Sequence, residues 1–218
     1  RYMNEQQVTL AEVTTSFGEK RQVTLPDGTL LVLNSCSQVR YPERFVGDSR
    51  EIELEGEGYF RVARNEKMPF IVKTKRLDVR VLGTRFDVKS YSTDEIVSVS
   101  VESGKVQVDL PEAMMRLTAK EQVLINTVSG EYNKRREERT MAVWRKGNLR
   151  FNSTPIHDVA KELERMYNCR ITFAEGQNFD NLISGEHDNK SLDAVLQAVE
   201  YTSGIHYKRM GNMIQLYK

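Results

Sequence analysis

Residues 96–109 have the sequence IVSVSVESGKVQVD, in which valine alternates with polar residues on both sides of Ser103-Gly104. This period of two predicts two half-buried strands joined by a tight turn. The same alternation extends outward over about residues 12–126, with glycine or proline turns between short segments. The pattern predicts an all-β domain at residues 1–129, built either as a sandwich of two sheets or as a solenoid-like coil of strands.

The segment that follows differs in composition from these strands. Residues 134–139, KRREER, contain no apolar side chain that a core could bury. Such a charged run favours a solvated connection. We therefore predict a charged linker at residues 130–143.

Residues 144–218 show a strand, helix, strand pattern twice. In the first unit Pro155 marks a helix start, and apolar residues recur at helical spacing up to Leu163. In the second unit Ser191 is a predicted N-cap and Gly204 a predicted helix end. The apolar stripe of the first helix repeats at a constant offset in the second, which predicts a small α+β domain with a duplicated βαβ unit.

The last alternating segment, Met213–Tyr217, is predicted to be a strand at a sheet edge. An edge of this length can lend about four backbone hydrogen bonds to a partner strand, at about 0.5–1.5 kcal/mol each. Association costs about 4–15 kcal/mol, so apolar anchors are also required. The candidate anchors, unless all of them face the domain core, are Leu182, Ile183, Ile214, Leu216 and Tyr217.

The composition argues against several classes of protein. The 218 residues carry 32 Lys and Arg against 31 Asp and Glu, a formal net charge of +1. A charge this small cannot supply the field that drives non-specific nucleic-acid binding. No apolar run approaches the roughly 18 residues that span a bilayer. The two cysteines, Cys36 and Cys169, cannot form a disulfide framework.

The sequence also lacks motifs typical of catalysis or metal binding. It contains no phosphate-binding glycine loop, no His-Glu-x-x-His, no serine elbow and no paired thiolates. His157, His187 and His206 are dispersed and are predicted to be surface or packing residues. We therefore expect no turnover of an external substrate, no cofactor and no metal.

Several motifs occur in a fixed order along the chain. The first part contains Leu25-Pro26-Asp27-Gly28-Thr29, Leu33-Asn34, Tyr41-Pro42, Gly56-Glu57-Gly58-Tyr59-Phe60, Pro69-Phe70-Ile71-Val72 and Val81-Leu82-Gly83-Thr84-Arg85-Phe86-Asp87-Val88. The second part contains Trp144-x-x-Gly147-x-Leu149-x-Phe151, Pro155-Ile156 and Leu163-Glu164-Arg165-Met166-Tyr167-Asn168. Over nearly its whole length the sequence resembles FecR-type periplasmic sensors, which are anti-sigma-factor regulators.

The resemblance implies the periplasmic portion of a single-pass inner-membrane protein, with a FecR β domain and an STN-like C-terminal domain. Its implied partners are the signalling domain of a TonB-dependent outer-membrane transporter and an extracytoplasmic-function sigma factor. The sigma factor would be reached through a cytoplasmic segment, and the membrane through an upstream helix, neither of which is in this sequence. The implied function is cell-surface signalling by protein–protein contact.

The resemblance also bears on the Gly83-Thr84 bond, because some FecR-type proteins are thought to cleave themselves at the matching position. Thr84 would be the nucleophile of a single-turnover N-to-O acyl shift, and Gly83 leaves the carbonyl open to attack. Alternation along the strand places Arg85 and Asp87 on the face opposite Thr84. A core threonine beside a turn glycine is therefore the simpler interpretation.

A second interpretation comes from a different class of protein. β-Sandwiches often present aromatic side chains to sugars, so the chain could be a carbohydrate-binding β-sandwich module with an accessory α+β domain. The candidate rings are Tyr41, Tyr59, Phe60 and Tyr91. This interpretation requires at least two of them to be exposed together in a cleft.

Overall fold

The structure is a computed structural model that describes residues 8–218, so the start of the predicted β domain, residues 1–7, lies outside the described residues. The β domain contains thirteen strands within residues 8–218. They are β1 Leu10–Thr14, β2 Arg21–Thr24, β3 Leu30–Leu33, β4 Gln38–Pro42, β5 Arg50–Arg61, β6 Phe70–Lys73, β7 Asp78–Val81, β8 Arg85–Ser90, β9 Ile96–Ser103, β10 Lys105–Asp109, β11 Met114–Thr118, β12 Glu121–Asn126 and β13 Tyr132–Arg136.

These strands form one curled sheet whose two halves share the long strand β5. One half has the order β1-β4-β5-β6-β7-β10-β11, and the other has the order β2-β3-β5-β8-β9-β12-β13. The first six residues of β5 pair with β4 and β6, and the last six pair with β3 and β8. The mainly β fold is thus confirmed, as a curled sheet that is continuous through β5.

The alternation in the sequence explains how this sheet buries its core. Val97, Val99 and Val101 on β9 are fully buried, whereas Ser98 between them is only half-buried. A single cluster of buried side chains draws on both halves of the sheet. At its centre, the rings of Phe60 and Phe86 stack with centroids 5.1 Å apart. Each half therefore presents one apolar face to the other.

The prediction of a linker at residues 130–143 is wrong for Tyr132–Arg136, because these residues form β13. Five residues of β13 pair antiparallel with β12. The strand lies at the end of the sheet order and needs no apolar side chain, since backbone hydrogen bonds to β12 hold it in place. Charged residues on such an edge also discourage pairing with another chain.

The C-terminal part contains two helices and five strands. A 3₁₀ turn at Val143–Lys146 precedes β14 Asn148–Pro155, α1 Ile156–Tyr167, β15 Arg170–Phe173, β16 Leu182–Asp188, α2 Leu192–Ser203, β17 His206–Met210 and β18 Met213–Tyr217. The predicted limits of α2 are confirmed: Ser191 Oγ accepts a hydrogen bond from Ala194 N, and Gly204 has a left-handed conformation with φ of 75°. α1 begins at Ile156, directly after Pro155.

Strand pairing in this part differs from what sequence order suggests. β14 pairs antiparallel with β16, while β15, β18 and β17 form a separate sheet in that order. The two strands that flank each helix therefore lie in different sheets. The prediction that Met213–Tyr217 is an edge is wrong, because β18 is the middle strand of its sheet. β17 forms a hairpin with it on one side, and β15 pairs with it in parallel on the other.

Candidate protein-interaction surface

The five predicted partner-binding residues have different exposures. Ile183, Ile214 and Leu216 are buried in the C-terminal core, each at most 4% exposed. Leu182, at the start of β16, is 63% exposed. Tyr217 is half-buried. Of the five, only Leu182 and Tyr217 can thus offer a side chain to a partner without opening the core.

Within residues 8–218, one face of the three-stranded sheet has exposed or half-buried side chains, and we call it the open sheet face. Ile171, Ile214 and Leu216 are buried in the C-terminal core. Because side chains alternate between the two faces of a strand, their neighbours point to the opposite face. The open sheet face consists of Arg170 and Thr172 on β15, Met213, Gln215 and Tyr217 on β18, and His206, Lys208 and Met210 on β17. It combines an aromatic ring and two methionines with several basic side chains.

The two methionines of the open sheet face lie next to one another. Met210 and Met213 are cross-strand partners and are 83% and 57% exposed. Two basic side chains border the ring of Tyr217, with Lys208 Nζ 5.0 Å from its centroid and the His206 ring 5.4 Å away. Exposed aromatic and methionine side chains of this kind are enriched at protein interfaces.

The two edges of this sheet differ in their availability. Glu164 of α1 accepts a hydrogen bond from Ile171 N at 3.0 Å, which occupies one backbone donor of β15. β17 pairs with β18 on one side and with no strand among residues 8–218 on the other. β17 is therefore the open edge of the sheet.

The opposite side of the C-terminal part is fixed to the β domain through α1. Arg165 donates two hydrogen bonds to the carboxylate of Asp94, at 2.7 and 2.9 Å. Its guanidinium also lies 3.6 Å from the ring centroid of Tyr91. Asp94 is 1% exposed and Arg165 10% exposed at their side chains. The pair is thus a buried, bidentate ion pair between the two parts of the molecule.

Other polar groups on α1 extend this contact along the helix. The carboxylate of Asp158 accepts hydrogen bonds from Glu95 N and Ile96 N at 2.8 and 2.9 Å. Glu162 pairs with Lys89 at 2.9 Å. Burial raises the pKa of Asp158, and the two backbone donors oppose that rise. The loop between β8 and β9 is consequently held at several points by one face of α1.

Trp144 makes a further contact between the two parts. Its Nε1 donates a hydrogen bond to Asp87 Oδ1 at 3.0 Å, and both side chains are buried. Burial, followed by the charge of the nearby Glu57, raises the pKa of Asp87 well above its usual value. The buried environment of Asp87 therefore disfavours its charged form.

Sequence reasoning missed these interface residues, although α1 carries a signal for them. Asp158, Glu162 and Arg165 follow one another at spacings of four and three residues, which places them on one helical face. Their partners Lys89 and Asp94 are distant in sequence. The stripe is thus visible in the sequence, but the surface that it meets is not.

The Gly83-Thr84 bond lies in the connection between β7 and β8, and backbone contacts surround it. Leu82 O accepts a hydrogen bond from Asn65 N, and Thr84 O accepts one from Val62 N. The Thr84 hydroxyl, which is buried, donates to Lys105 O at 3.0 Å. This hydrogen bond holds the Thr84 hydroxyl against the backbone of β10.

The rings proposed for carbohydrate binding do not form an exposed platform. Phe60 is fully buried, and Tyr59 and Tyr91 are also buried. Tyr41 is half-buried and packs on the β core. The aromatic argument for a carbohydrate-binding module is therefore wrong.

Two further properties concern the described part of the chain. Among residues 8–218, no group of three or more His, Cys, Asp or Glu side chains is placed to hold a metal ion. No helix there has both the length and the apolar composition needed to cross a bilayer. Cys36 and Cys169 are free and half-buried.

Comparisons with known proteins agree for both parts of the chain. Residues 11–107 match the profile of a family described as FecR protein, and residues 148–216 match the profile described as FecR, C-terminal. No curated protein sequence matches the chain significantly.

Two crystal structures from Parabacteroides distasonis ATCC 8503, each provisionally described as that of an anti-sigma factor, are similar to the chain. Both have 49% sequence identity to it. The one at 2.50 Å resolution has a TM-score of 0.94 and covers 96% of this chain and 99% of its own; the one at 1.65 Å has a TM-score of 0.92 and covers 95% and 99%. Since the profiles match both parts and these relatives match nearly the whole length, the chain belongs to the FecR family.

Proposed function

We propose that this chain is the part of an anti-sigma-factor regulator that relays a signal by protein–protein contact. The family match and the anti-sigma-factor description of the solved relatives support this class of function. In the full proposal, the signal comes from the signalling domain of a TonB-dependent outer-membrane transporter and ends at an extracytoplasmic-function sigma factor. The chain acts as a periplasmic portion of an inner-membrane protein, its C-terminal domain is an STN-like duplicated βαβ domain, and it turns over no external substrate.

One observation carries the relay mechanism: the C-terminal part has an open edge on one side and a buried polar contact with the β domain on the other. The open edge is β17, and the fixed side is the α1 face that contains Arg165. A partner strand that adds to β17 therefore binds a body whose position is already set by the β domain. Binding at the edge can be transmitted through α1 to the loop between β8 and β9.

The energetics of strand addition favour β17 with anchors on the open sheet face. About four backbone hydrogen bonds contribute about 0.5–1.5 kcal/mol each. Burial of an exposed methionine adds about 1.5–3 kcal/mol, and Met210 and Met213 lie side by side at this end of the sheet. Together these contributions reach the cost of association, about 4–15 kcal/mol, which hydrogen bonds alone barely meet.

A binding titration tests the proposal. The chain is titrated by calorimetry with purified signalling domains of the TonB-dependent transporters from the organism that encodes it. We expect one domain to bind, and Met210→Asp to weaken that binding at least about tenfold, because it places a charge where the partner must bury apolar surface. The matched control is Val128→Asp, which changes a similarly exposed side chain on the β domain (82% exposed).

Two outcomes contradict the proposal in different ways. If none of the signalling domains binds, the transporter is not the partner. If a domain binds but Met210→Asp and Val128→Asp have equal effects, the partner does not contact the C-terminal sheet. The proposed binding site is then wrong, whereas the proposed signalling by protein–protein contact is not contradicted.

A further inference from the structure

A cleft of about 330 Å³ separates the two parts of the molecule. One wall is the outer face of β9, β12 and β13, and the opposite wall is β14 with the start of α1. Trp144, in the connection between the two parts, lies at its border. The volume is at the lower end of the range for small-molecule sites, about 300–1,000 Å³. The proposed signalling contact uses another surface, so the cleft has no role in it.

The guanidinium of Arg135 faces this cleft and forms no ion pair within residues 8–218, although the charge of Glu137 acts on it. Arg135 on β13 donates from Nε to Gln122 Oε1 at 2.8 Å, and Gln122 Nε2 donates to Ser100 Oγ at 2.7 Å. This row of side chains fixes the plane of the guanidinium. Among residues 8–218, the two terminal nitrogens of Arg135 have no hydrogen-bond acceptor, and no carboxylate lies within 4.0 Å of them. Burial lowers the pKa of Arg135, and the charge of Glu137 opposes that shift.

Three asparagine side chains around the cleft are also unpartnered. Asn133 lies on the wall of the β domain, and Asn148 and Asn152 lie on β14. None of these amides has a side-chain hydrogen-bond partner within the described part of the chain. Each amide offers donors and an acceptor, which are the two functions that a hydroxyl group uses.

The other charged groups around the cleft already have partners, so they do not compete for a ligand. The pairs are Lys89 with Glu162, Arg150 with Glu186, Glu137 with Arg139, Asp158 with Glu95 N and Ile96 N, Asp87 with Trp144, and Glu57 with Asn34. Among the cations that line the cleft within residues 8–218, Arg135 is therefore the one that forms no ion pair.

We propose that this cleft binds a small sugar acid, a ligand that combines one carboxylate with several hydroxyl groups. The carboxylate pairs with the terminal nitrogens of Arg135, a geometry that guanidinium groups favour. The hydroxyl groups bond to the asparagines of both walls. Such a ligand contacts the β domain and the C-terminal part at once, so it stabilises their docked arrangement.

A fluorescence titration tests this proposal with the unmodified chain. The chain contains a single tryptophan, Trp144, which borders the cleft and reports on ligand binding there. D-Glucuronate is the probe, D-glucose carries the hydroxyls without the carboxylate, and acetate carries the carboxylate without the hydroxyls. We expect a saturable change with D-glucuronate, and an affinity at least about tenfold lower for each comparison ligand.

A pair of matched variants assigns the effect to the cleft. Arg135→Gln removes the guanidinium that forms no ion pair within residues 8–218, while Arg136→Gln makes the same change at the next residue, which faces the other way and pairs with Glu138. We expect Arg135→Gln to lower the affinity for D-glucuronate about tenfold and Arg136→Gln to leave it unchanged.

Three results would overturn the proposal: no saturable change with D-glucuronate, equal binding of D-glucose or acetate, or equal effects of the two variants. The ligand comparison decides the matter even where Arg135→Gln fails to fold, because it needs no substitution.

Discussion

The buried ion pair between Arg165 and Asp94 makes the coupling of the two parts measurable. We consider Asp94→Ala, Arg165→Met and the double variant. Each single substitution leaves one charge buried without its partner, since the Asp94 side chain is 1% exposed and that of Arg165 is 10% exposed. The double variant removes both charges. The double variant should therefore lose much less free energy of unfolding than the two single variants lose in sum.

The structure sets the expected magnitudes. Breaking a buried pair by removing one partner lowers the free energy of unfolding by about 3–5 kcal/mol. Arg165→Met also loses the contact with the ring of Tyr91, which contributes about 0.5–2 kcal/mol. We expect a coupling energy of about 2 kcal/mol or more between the two positions. A solvent-exposed pair, Lys73 with Glu51 at 3.5 Å, serves as the control and should show less than about 1 kcal/mol.

Urea unfolding provides the assay, with two signals followed in parallel. Trp144 fluorescence reports on the interface, because its indole donates to Asp87 of the β domain. Circular dichroism reports on all strands and helices. If the costs of Asp94→Ala and Arg165→Met simply add, or if the coupling is no larger than in the control pair, the α1 contact does not hold the two parts together.

Three further predictions concern the β domain. Because the pKa of Asp87 is raised, its contribution to stability is complete below the ordinary carboxyl pKa and is lost as pH rises through the raised value. Urea unfolding should therefore show the free energy of unfolding falling as pH rises above the ordinary carboxyl pKa, and Asp87→Asn should reduce this fall; an unchanged slope would contradict the prediction. The purified chain should run as one band on a denaturing gel, since the Thr84 hydroxyl is held by Lys105 O; two fragments that disappear in Thr84→Ala would demonstrate self-cleavage instead. Gly83→Ala should lower the free energy of unfolding by about 1–3 kcal/mol, because a β-carbon there would lie 2.8 Å from Arg64 Cα, and an unchanged thermal midpoint would refute the clash.

Local features of the structure could be predicted from the sequence because they depend on neighbouring residues. The alternation of valines around Ser98 gave the inward and outward faces of β9. The hydroxyl of Ser191 and the conformational freedom of Gly204 gave the ends of α2. Each of these signals acts within a few residues, so the local sequence is enough to predict the feature.

Features that depend on pairing between distant segments could not be predicted in this way. β18 is central because β15, about forty residues earlier, pairs with it in parallel, and no local pattern records that partner. β13 joins the sheet through backbone hydrogen bonds, to which its charged side chains give no clue.

The candidate sites illustrate the same limit. The polar stripe on α1 is present in the sequence, but Asp94 and Tyr91 become its partners only when the two parts dock. The sequence predicts a linker at Arg135, whereas the role that we propose for it at the cleft depends on its position on β13 beside Gln122.

The shared strand β5 has a consequence for how the β domain comes apart. Its twelve residues belong to both halves of the curled sheet, so neither half can separate while the other stays intact. Amide protons on β5 are accordingly expected to exchange with deuterium only when the whole domain melts. A strand shared in this way opposes partial unfolding of the domain when a force acts on one of its surfaces.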